Sequence, residues 1–466
     1  MTSRLWLGPY TRSKNRLSTS FGIGDLHFFT SYWYNDVDLI DLENRFGRDY
    51  MEKIYFHIVA FEANKLTSLK PDILDLGPFQ KHHTAEFEDL WLTIQRKVWA
   101  QWRYENDFPD YIGPRFSDRP VGQASLPRRI DRINPEILLF CGGGKDSLVC
   151  LKILERANLP YATCAYSSSI YGRSAPQHGL IEELLAHAAP PGKQHKIWMH
   201  EDFSDSPILE LADEYPATSL TMAETPASLF ASLPIVLQHD YRYIALGHER
   251  SADTPNLIWE RTGEAINHQW GKSTEAEKLL TDYLRGQLIS NCRYFSLLKP
   301  VYDVVIFNML RSDTTSVPFT HSCNTSKPWC KKCAKCAYVW LNYMAWLPVS
   351  LVDGIFRANL FELPENQIWF RQLLGMEKHT PFECIGRIGE SRLAFEICRR
   401  KGLTGRAMDI FIHELDTAVN IHSALEEYTV VDDENHFIPT EIASKILPLI
   451  REGARDSKKY AHHIDA

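Results

Sequence analysis

No stretch of the 466-residue sequence approaches the ~18 uninterrupted apolar residues that a membrane-spanning helix needs. The opening segment, MTSRLWLGPYTRSKNR, has no apolar core of the kind a secretory signal carries. Excess positive charge is missing too: 51 Lys and Arg stand against 59 Asp and Glu, a net charge of −8. A chain that mainly grips nucleic acid or anionic lipid carries the opposite sign, so neither partner is expected. A local basic pocket stays compatible with that balance. There is no internal repeat and no low-complexity block. The ten cysteines do not form a disulfide framework, because four crowd into Cys323–Cys336 and the others scatter. In a chain of this length without a signal, clustered cysteines read as metal ligands in a reducing compartment, and the cytosol is the expected location.

What is present is ample core material. Hydrophobic residues make up 44% and charged residues 24%, with 12 Trp, 20 Tyr and 23 Phe, which excludes a disordered or fibrous chain. At roughly 150 residues per domain the length predicts about three domains. Residues 1–116 read as an aromatic-rich α/β domain, with a helix near Phe87–Trp102 where Phe87, Leu90, Trp91, Ile94, Val98 and Trp102 share one face. Residues 117–134, with Pro, Gly, Ser and four Arg but no periodicity, read as a linker, a nucleic-acid patch being the alternative.

From residue 135 short apolar runs alternate with amphipathic stretches. Strands are expected at 137–140, 161–167, 196–200 and 243–247, and helices from about Asp146 and over 180–188 and 227–238. That alternation predicts a doubly wound, mostly parallel sheet over residues 135–320. A four-cysteine module at 321–345 and a mostly helical region at 346–466 follow, ending in a charged, frayed tail at 451–466.

The sharpest motif is ILLF-CGGGKDS at 137–147, a buried strand running through three glycines into a helix. Gly142, Gly143 and Gly144 let backbone N–H groups approach a phosphate without a Cβ clash, the helix N-terminus adds partial positive charge, and Lys145 and Ser147 offer donors. It is neither a Walker A loop nor a GxGxxG fingerprint. Cys323-x6-Cys330-x2-Cys333-x2-Cys336 offers four thiolates without an open position, the pattern of structural Zn2+. An iron–sulfur cluster or metal-free thiols are the alternatives. Lys327, Lys331, Lys332 and Lys335 would offset the thiolate charge.

Two polar blocks lie between loop and cysteines: GHERSAD at 247–253, directly after the fourth strand, and NHQWGKS at 267–273. Loops at the carboxyl ends of strands line the ligand crevice of such sheets. His248, Glu249, His268, Lys272 and the later Cys384 are candidate catalytic groups, the two histidines having the pKa nearest working pH. Arg250, Ser251, Asn267, Gln269 and Ser273 are candidate substrate ligands, Arg250 and Lys272 being suited to carboxylate or phosphate. The alternative for both blocks is an exposed polar loop leading into an ordinary helix.

The glycine loop resembles the PP-loop, SGGxDS, of the N-type ATP pyrophosphatase superfamily, whose fold is of the HUP type; Gly142 stands where that pattern has Ser. The resemblance implies ATP as substrate, Asp146 organising Mg2+ and Ser147 the pyrophosphate. The cysteine spacing is similar to that of QueC-type deazaguanine synthases. The ordered set GGGKDS, HERSA, NHQWGKS, WCKKCAKC, IFRANL at 355–360 and PFECIG at 381–386 resembles the MurL family of UDP-N-acetylmuramoyl-L-alanyl-L-glutamate epimerases more closely. It departs from that family's pattern at His248 (Asn there), Gly271 (Ser) and Thr380 (Lys), which bears on substrate more than on reaction type. The resemblance implies an ATP- and Mg2+-dependent epimerase that adenylates a terminal L-glutamyl carboxylate of a small peptide or UDP-linked muropeptide, inverts the α-carbon and releases AMP. A QueC-like synthase or amide ligase is the second reading, and a non-catalytic ATP-binding sensor the third.

Overall fold

The computed structural model describes residues 3–122, 126–132, 134–168, 171–204, 206–209, 220–415 and 419–464. Residues 123–125 and 133 of the expected linker lie outside them. Ten of the twelve described strands form one sheet: β1 (Arg4–Arg12), β2 (Arg16–Ile23), β3 (Leu26–Tyr34), β4 (Ile73–Asp75), β5 (Arg115–Phe116), β6 (Asn134–Phe140), β7 (Tyr161–Tyr166), β8 (Gln194–Glu201), β9 (Tyr241–Leu246) and β12 (Arg293–Ser296). Strands β10 (Leu257–Trp259) and β11 (Glu264–Ile266) pair separately as a hairpin.

Across the large sheet the order is β12-β9-β6-β7-β8-β3-β2-β1-β4-β5. Strands β12 through β8 run parallel, as expected from the βαβ pattern. An antiparallel seam of β3 on β8, with Trp33 opposite Trp198, then joins the meander β1–β3 to the same sheet. The two halves differ because their faces differ. In β6, Ile137 and Leu139 enter one core and Leu138 the other, so both faces are covered and the strand reads as a continuous apolar run. In β3, buried Phe28, Thr30, Tyr32 and Tyr34 alternate with the half-exposed Phe29 and Trp33.

Helices α1 (Leu39–Phe46), α2 (Arg48–Ala63), α3 (Ala85–Val98), α4 (Ala100–Glu105), α5 (Lys145–Arg156), α6 (Ser174–Ala188), α7 (Glu224–His239), α8 (Thr274–Tyr283), α9 (Asp303–Met309) and α10 (Ala334–Trp346) follow in chain order. Side chains of α2, α3, α7 and α8 build one core, and those of α5, α6, α9 and α10 the other. Six further helices complete the second core: α11 (Val349–Phe356), α12 (Gln367–Leu373), α13 (Ile388–Arg400), α14 (Arg406–His413), α15 (Ile421–Tyr428) and α16 (Thr440–His463). The frayed tail expected at 451–466 is a correction: through His463 it belongs to α16. Gly453, Ala454, Ser457 and Ala461 give that helix a small-residue buried face, and Asn308 on α9 donates to Asp456. No helix among the described residues is long and apolar enough to cross a membrane.

Chain order places the crevice. The strands proceed β6, β7, β8 in one direction and return to β9 on the other side of β6. Loops leaving β6 and β9 therefore diverge, opening a cleft at their carboxyl ends, where open parallel sheets bind ligands.

Candidate functional site

The glycine loop leaves β6 at that cleft. Gly142 N–H donates to Ser147 Oγ (3.1 Å), closing the turn. Gly143 has φ +80°, and a Cβ there would stand 2.1 Å from His321 Nε2, so both backbone conformation and space require glycine. Its carbonyl accepts from His321 N (2.9 Å). Gly144 precedes α5 with no side-chain cap, which leaves first-turn N–H groups of a twelve-residue helix available to an anion. A cavity of about 260 Å³ opens here, with Gly142, Gly144, Asp146 and Ser147 on one wall.

Lys145 is placed differently from the other loop residues. It is 2% exposed and does not line the cavity. Its ammonium bonds Asp146 Oδ1 (2.6 Å) and Asp303 Oδ1 (2.5 Å) and lies over the Phe307 ring. Burial works against that charge, but Asp146, Asp303 and Glu249 outweigh it and raise the pKa. Lys145 therefore anchors Asp146 from behind.

The opposite wall comes from the polar blocks. Gly247 brings the chain against α5, where a Cβ would meet Asp146 Cβ at 3.2 Å, and His248 follows into the cavity. Burial, then Lys272 and Lys299, hold the His248 pKa well below its usual value, so the ring is neutral, and its Nδ1 has no hydrogen-bond partner. Lys272 and Cys384 also line the cavity. They form the partition to a second cavity of about 260 Å³, which His268 and Gln269 enter. Burial opposes the Lys272 ammonium, yet Cys384, Glu249 and Asp146 raise its pKa. His268 is pushed down to about 4, by burial first, with its Nδ1 against Gln101 Oε1 (2.7 Å).

The remaining sequence candidates stand apart from the cavity. Glu249 is 4% exposed and lies behind the wall, its carbonyl accepting from Lys299 Nζ (3.0 Å). Arg250 turns to Asp432 (3.3 Å) and the Tyr302 ring. Ser251 donates to Glu390 Oε1 (2.6 Å). Asn267 shapes a turn, accepting from Gln269 N (2.8 Å) and donating to Ala252 O (2.9 Å). Ser273 caps α8 through Ala276 N (3.2 Å). Gln269 donates to Ile385 O (2.8 Å) and so helps fix the Cys384 loop.

Sequence reasoning missed several lining residues. Tyr171 donates to Glu224 Oε2 (3.0 Å) across the cavity. Lys327 lies over the Tyr171 ring, and Lys335 donates to the Cys384 carbonyl. Both lysines were legible as neighbours of the cysteines, but not as cavity groups. Asp303, Tyr338 and Glu390 form a buried cluster behind the loop, with Tyr338 donating to Asp303 Oδ2 (2.8 Å). The Glu390 carboxyl is pushed up to about 7, by burial and then by Asp303.

The four cysteines converge as expected. Their Sγ atoms all lie within 4.8 Å, with Cys323–Cys333 and Cys330–Cys336 both at 3.8 Å. A tetrahedron with ~2.3 Å metal–sulfur bonds has edges of about 3.8 Å. Backbone N–H groups of Ser326, Cys330, Lys332 and Cys336 point at the sulfurs at 3.3–3.4 Å, the donor set a thiolate cluster needs. These residues fit a tetrahedral metal.

This assembly defines a class: an α/β protein whose glycine loop and helix N-terminus face a lysine, a thiol and a neutral histidine, beside a four-cysteine cluster. Comparison narrows it. The MurL N-terminal domain matches residues 227–297 and the MurL C-terminal domain residues 317–427. The chain is similar to the UDP-N-acetyl-alpha-D-muramoyl-L-alanyl-L-glutamate epimerase of Micromonospora sp., 29% identical over 65% of this chain and 66% of that protein. It resembles the Salinispora tropica protein of the same name (29% identical, 65% of this chain, 64% of that protein) and the one from Xanthomonas oryzae pv. oryzae (26%, 74% and 75%). The chain thus spans just under two thirds of the length of the first two relatives. These matches support a place in the MurL family. No solved structure matches the chain.

Proposed function

We propose that this chain is an epimerase of UDP-N-acetylmuramoyl-L-alanyl-L-glutamate, or of a close glutamyl peptide, and that it consumes ATP to activate the glutamyl carboxylate. The activity for which its relatives are named supports the substrate class. The observation that carries the ATP half is one cavity shared by the uncapped N-terminus of α5, Lys272, Cys384 and His248.

The chemistry explains why both sets belong together. An α-proton beside a carboxylate is barely acidic, because removing it adds negative charge next to negative charge. Attack of the carboxylate oxygen on the α-phosphorus of ATP forms an acyl phosphate bond and expels pyrophosphate. The acyl carbonyl is then no longer charged, and a base can take the α-proton; return of a proton to the opposite face inverts the centre. Water cleaves the mixed anhydride to AMP and the D-glutamyl peptide.

Each residue has a role in this reading. Gly144, Ser147 and the first-turn N–H groups of α5 hold phosphate oxygens. Asp146, fixed by Lys145, would hold Mg2+, which when bound balances phosphate charge. Lys272 keeps its proton and so stabilises developing negative charge rather than acting as a base. Cys384 beside it, and neutral His248, move the proton at the two faces. The cysteine cluster would hold Zn2+, which supplies structure.

The test is incubation with ATP, Mg2+ and UDP-N-acetylmuramoyl-L-alanyl-L-glutamate in D2O, read by mass and chiral analysis. Deuterium at the glutamyl α-carbon with stoichiometric AMP, both lost in Asp146→Ala, is the expected result. AMP with a new C–N bond and retained configuration would replace the epimerase by a ligase.

A further inference from the structure

At the opposite end of the sheet from the loop cavity, three side chains distant in sequence converge on one point. His195 is the second residue of β8, His239 ends α7, and Asp36 follows β3. Their ligand atoms lie within 4.8 Å of one another. Asp36 Oδ2 is 2.8 Å from His195 Nδ1 and 3.1 Å from His239 Nε2. The two imidazole rings are 4.6 Å apart, centre to centre.

Each histidine shows a feature that a plain ion pair does not require. The far nitrogen of His195, Nε2, shares a 2.7 Å hydrogen bond with the Tyr241 hydroxyl, which fixes the ring so that Nδ1 faces the cluster. Metal-bound imidazoles are held in this way by a partner on the second nitrogen. His239 Nε2 is buried and lies 3.1 Å from the Asp36 carboxylate, yet it makes no bond of hydrogen-bonding geometry. One carboxylate oxygen thus stands between two imidazole nitrogens, an arrangement that can share one cation.

We propose that Asp36, His195 and His239 form a second metal site, separate from the cysteine cluster, for a zinc-class divalent ion. Two imidazoles and a carboxylate favour zinc, nickel or cobalt over the all-oxygen cations calcium and magnesium. Metal–ligand bonds of ~2.0–2.1 Å give tetrahedral edges of about 3.3 Å. The two carboxylate–imidazole separations reach that by opening a few tenths of an ångström, which the part-exposed Asp36 side chain allows. Water completes the fourth position from that exposed side. A metal here ties the end of β3 to β8 and α7, at the seam where the sheet changes from parallel to antiparallel.

The experiment loads the full chain with Zn2+, removes free metal and counts zinc per chain by mass spectrometry under native conditions. His239→Ala and Asp36→Asn are each expected to hold one zinc fewer than the unmodified chain. Asp36→Asn is nearly isosteric and keeps a folded comparison should the alanine variant misfold. With Co2+ in place of zinc, both variants should lose the weak visible bands of nitrogen and oxygen ligation, while thiolate charge-transfer bands persist. Equal metal content in the unmodified chain and both variants overturns the proposal, whatever the cysteine cluster binds.

Discussion

Lys272 and Cys384 both stand in the partition between two cavities, so that one pair of side chains lines both. In the proposed reaction Cys384 moves the proton at one face of the α-carbon. Cys384→Ala should therefore reduce α-deuteration by about 10²-fold or more while AMP release with substrate continues. Equal loss of both signals would move Cys384 from proton transfer to binding.

Gly143 is the least replaceable residue of the loop. Alanine there would adopt φ +80° and place a Cβ 2.1 Å from His321 Nε2. The strain and the clash together cost on the order of 1–3 kcal/mol. Gly143→Ala should lower the unfolding midpoint and weaken ATP binding. The double variant Gly143→Ala, His321→Ala should recover only the part due to the clash, measured by thermal unfolding and nucleotide titration.

Keeping metal out of the cysteine cluster should end the proposed AMP formation before the chain unfolds. His321 N donates to the Gly143 carbonyl, Asn324 donates to Glu383 Oε2 (2.7 Å), and Lys335 holds the Cys384 carbonyl. The segment carrying the cysteines thus clamps both the glycine loop and the Cys384 loop. Cys336→Ser, or a strong chelator, should abolish AMP formation while far-UV circular dichroism stays near that of the intact chain.

Stability should depend on pH through Glu277. Burial, outweighing Lys299 and Ser296, pushes its carboxyl up to about 7 from an ordinary 4.5. Between those values the folded state holds a proton that the unfolded state has lost. That contribution is complete below about pH 4.5 and is lost as pH rises through about 7. The difference is on the order of 3 kcal/mol. Glu277→Gln should flatten the decline in denaturant stability from pH 5 to pH 8; an unchanged slope would count against the assignment.

Much of this was written in the sequence because it is local. An apolar run into three glycines announces a strand, a turn and a helix, and C-x2-C-x2-C spacing announces a metal tetrahedron. Ser273 as a helix cap and Asn267 as a turn former are equally short-range, although their setting in a polar block suggested ligands. What stayed hidden depends on distant pairing. Lys145 looked like a phosphate donor until Asp303, 158 residues away, claimed it. Nothing near Arg250 announced Asp432 as its partner. No local pattern announced that Trp33 would lie opposite Trp198 and merge the first strands with the parallel sheet.

That merger bears on how the chain can be divided. Cutting at the 117–134 connector would remove β1–β5 and leave β8, bounded on its other side by β7, as a bare edge. An unprotected row of N–H and C=O groups templates the addition of any passing strand. The C-terminal piece alone should therefore self-associate into β-rich aggregates, and production of a soluble fragment that carries the glycine-loop cavity has to begin at the first strand.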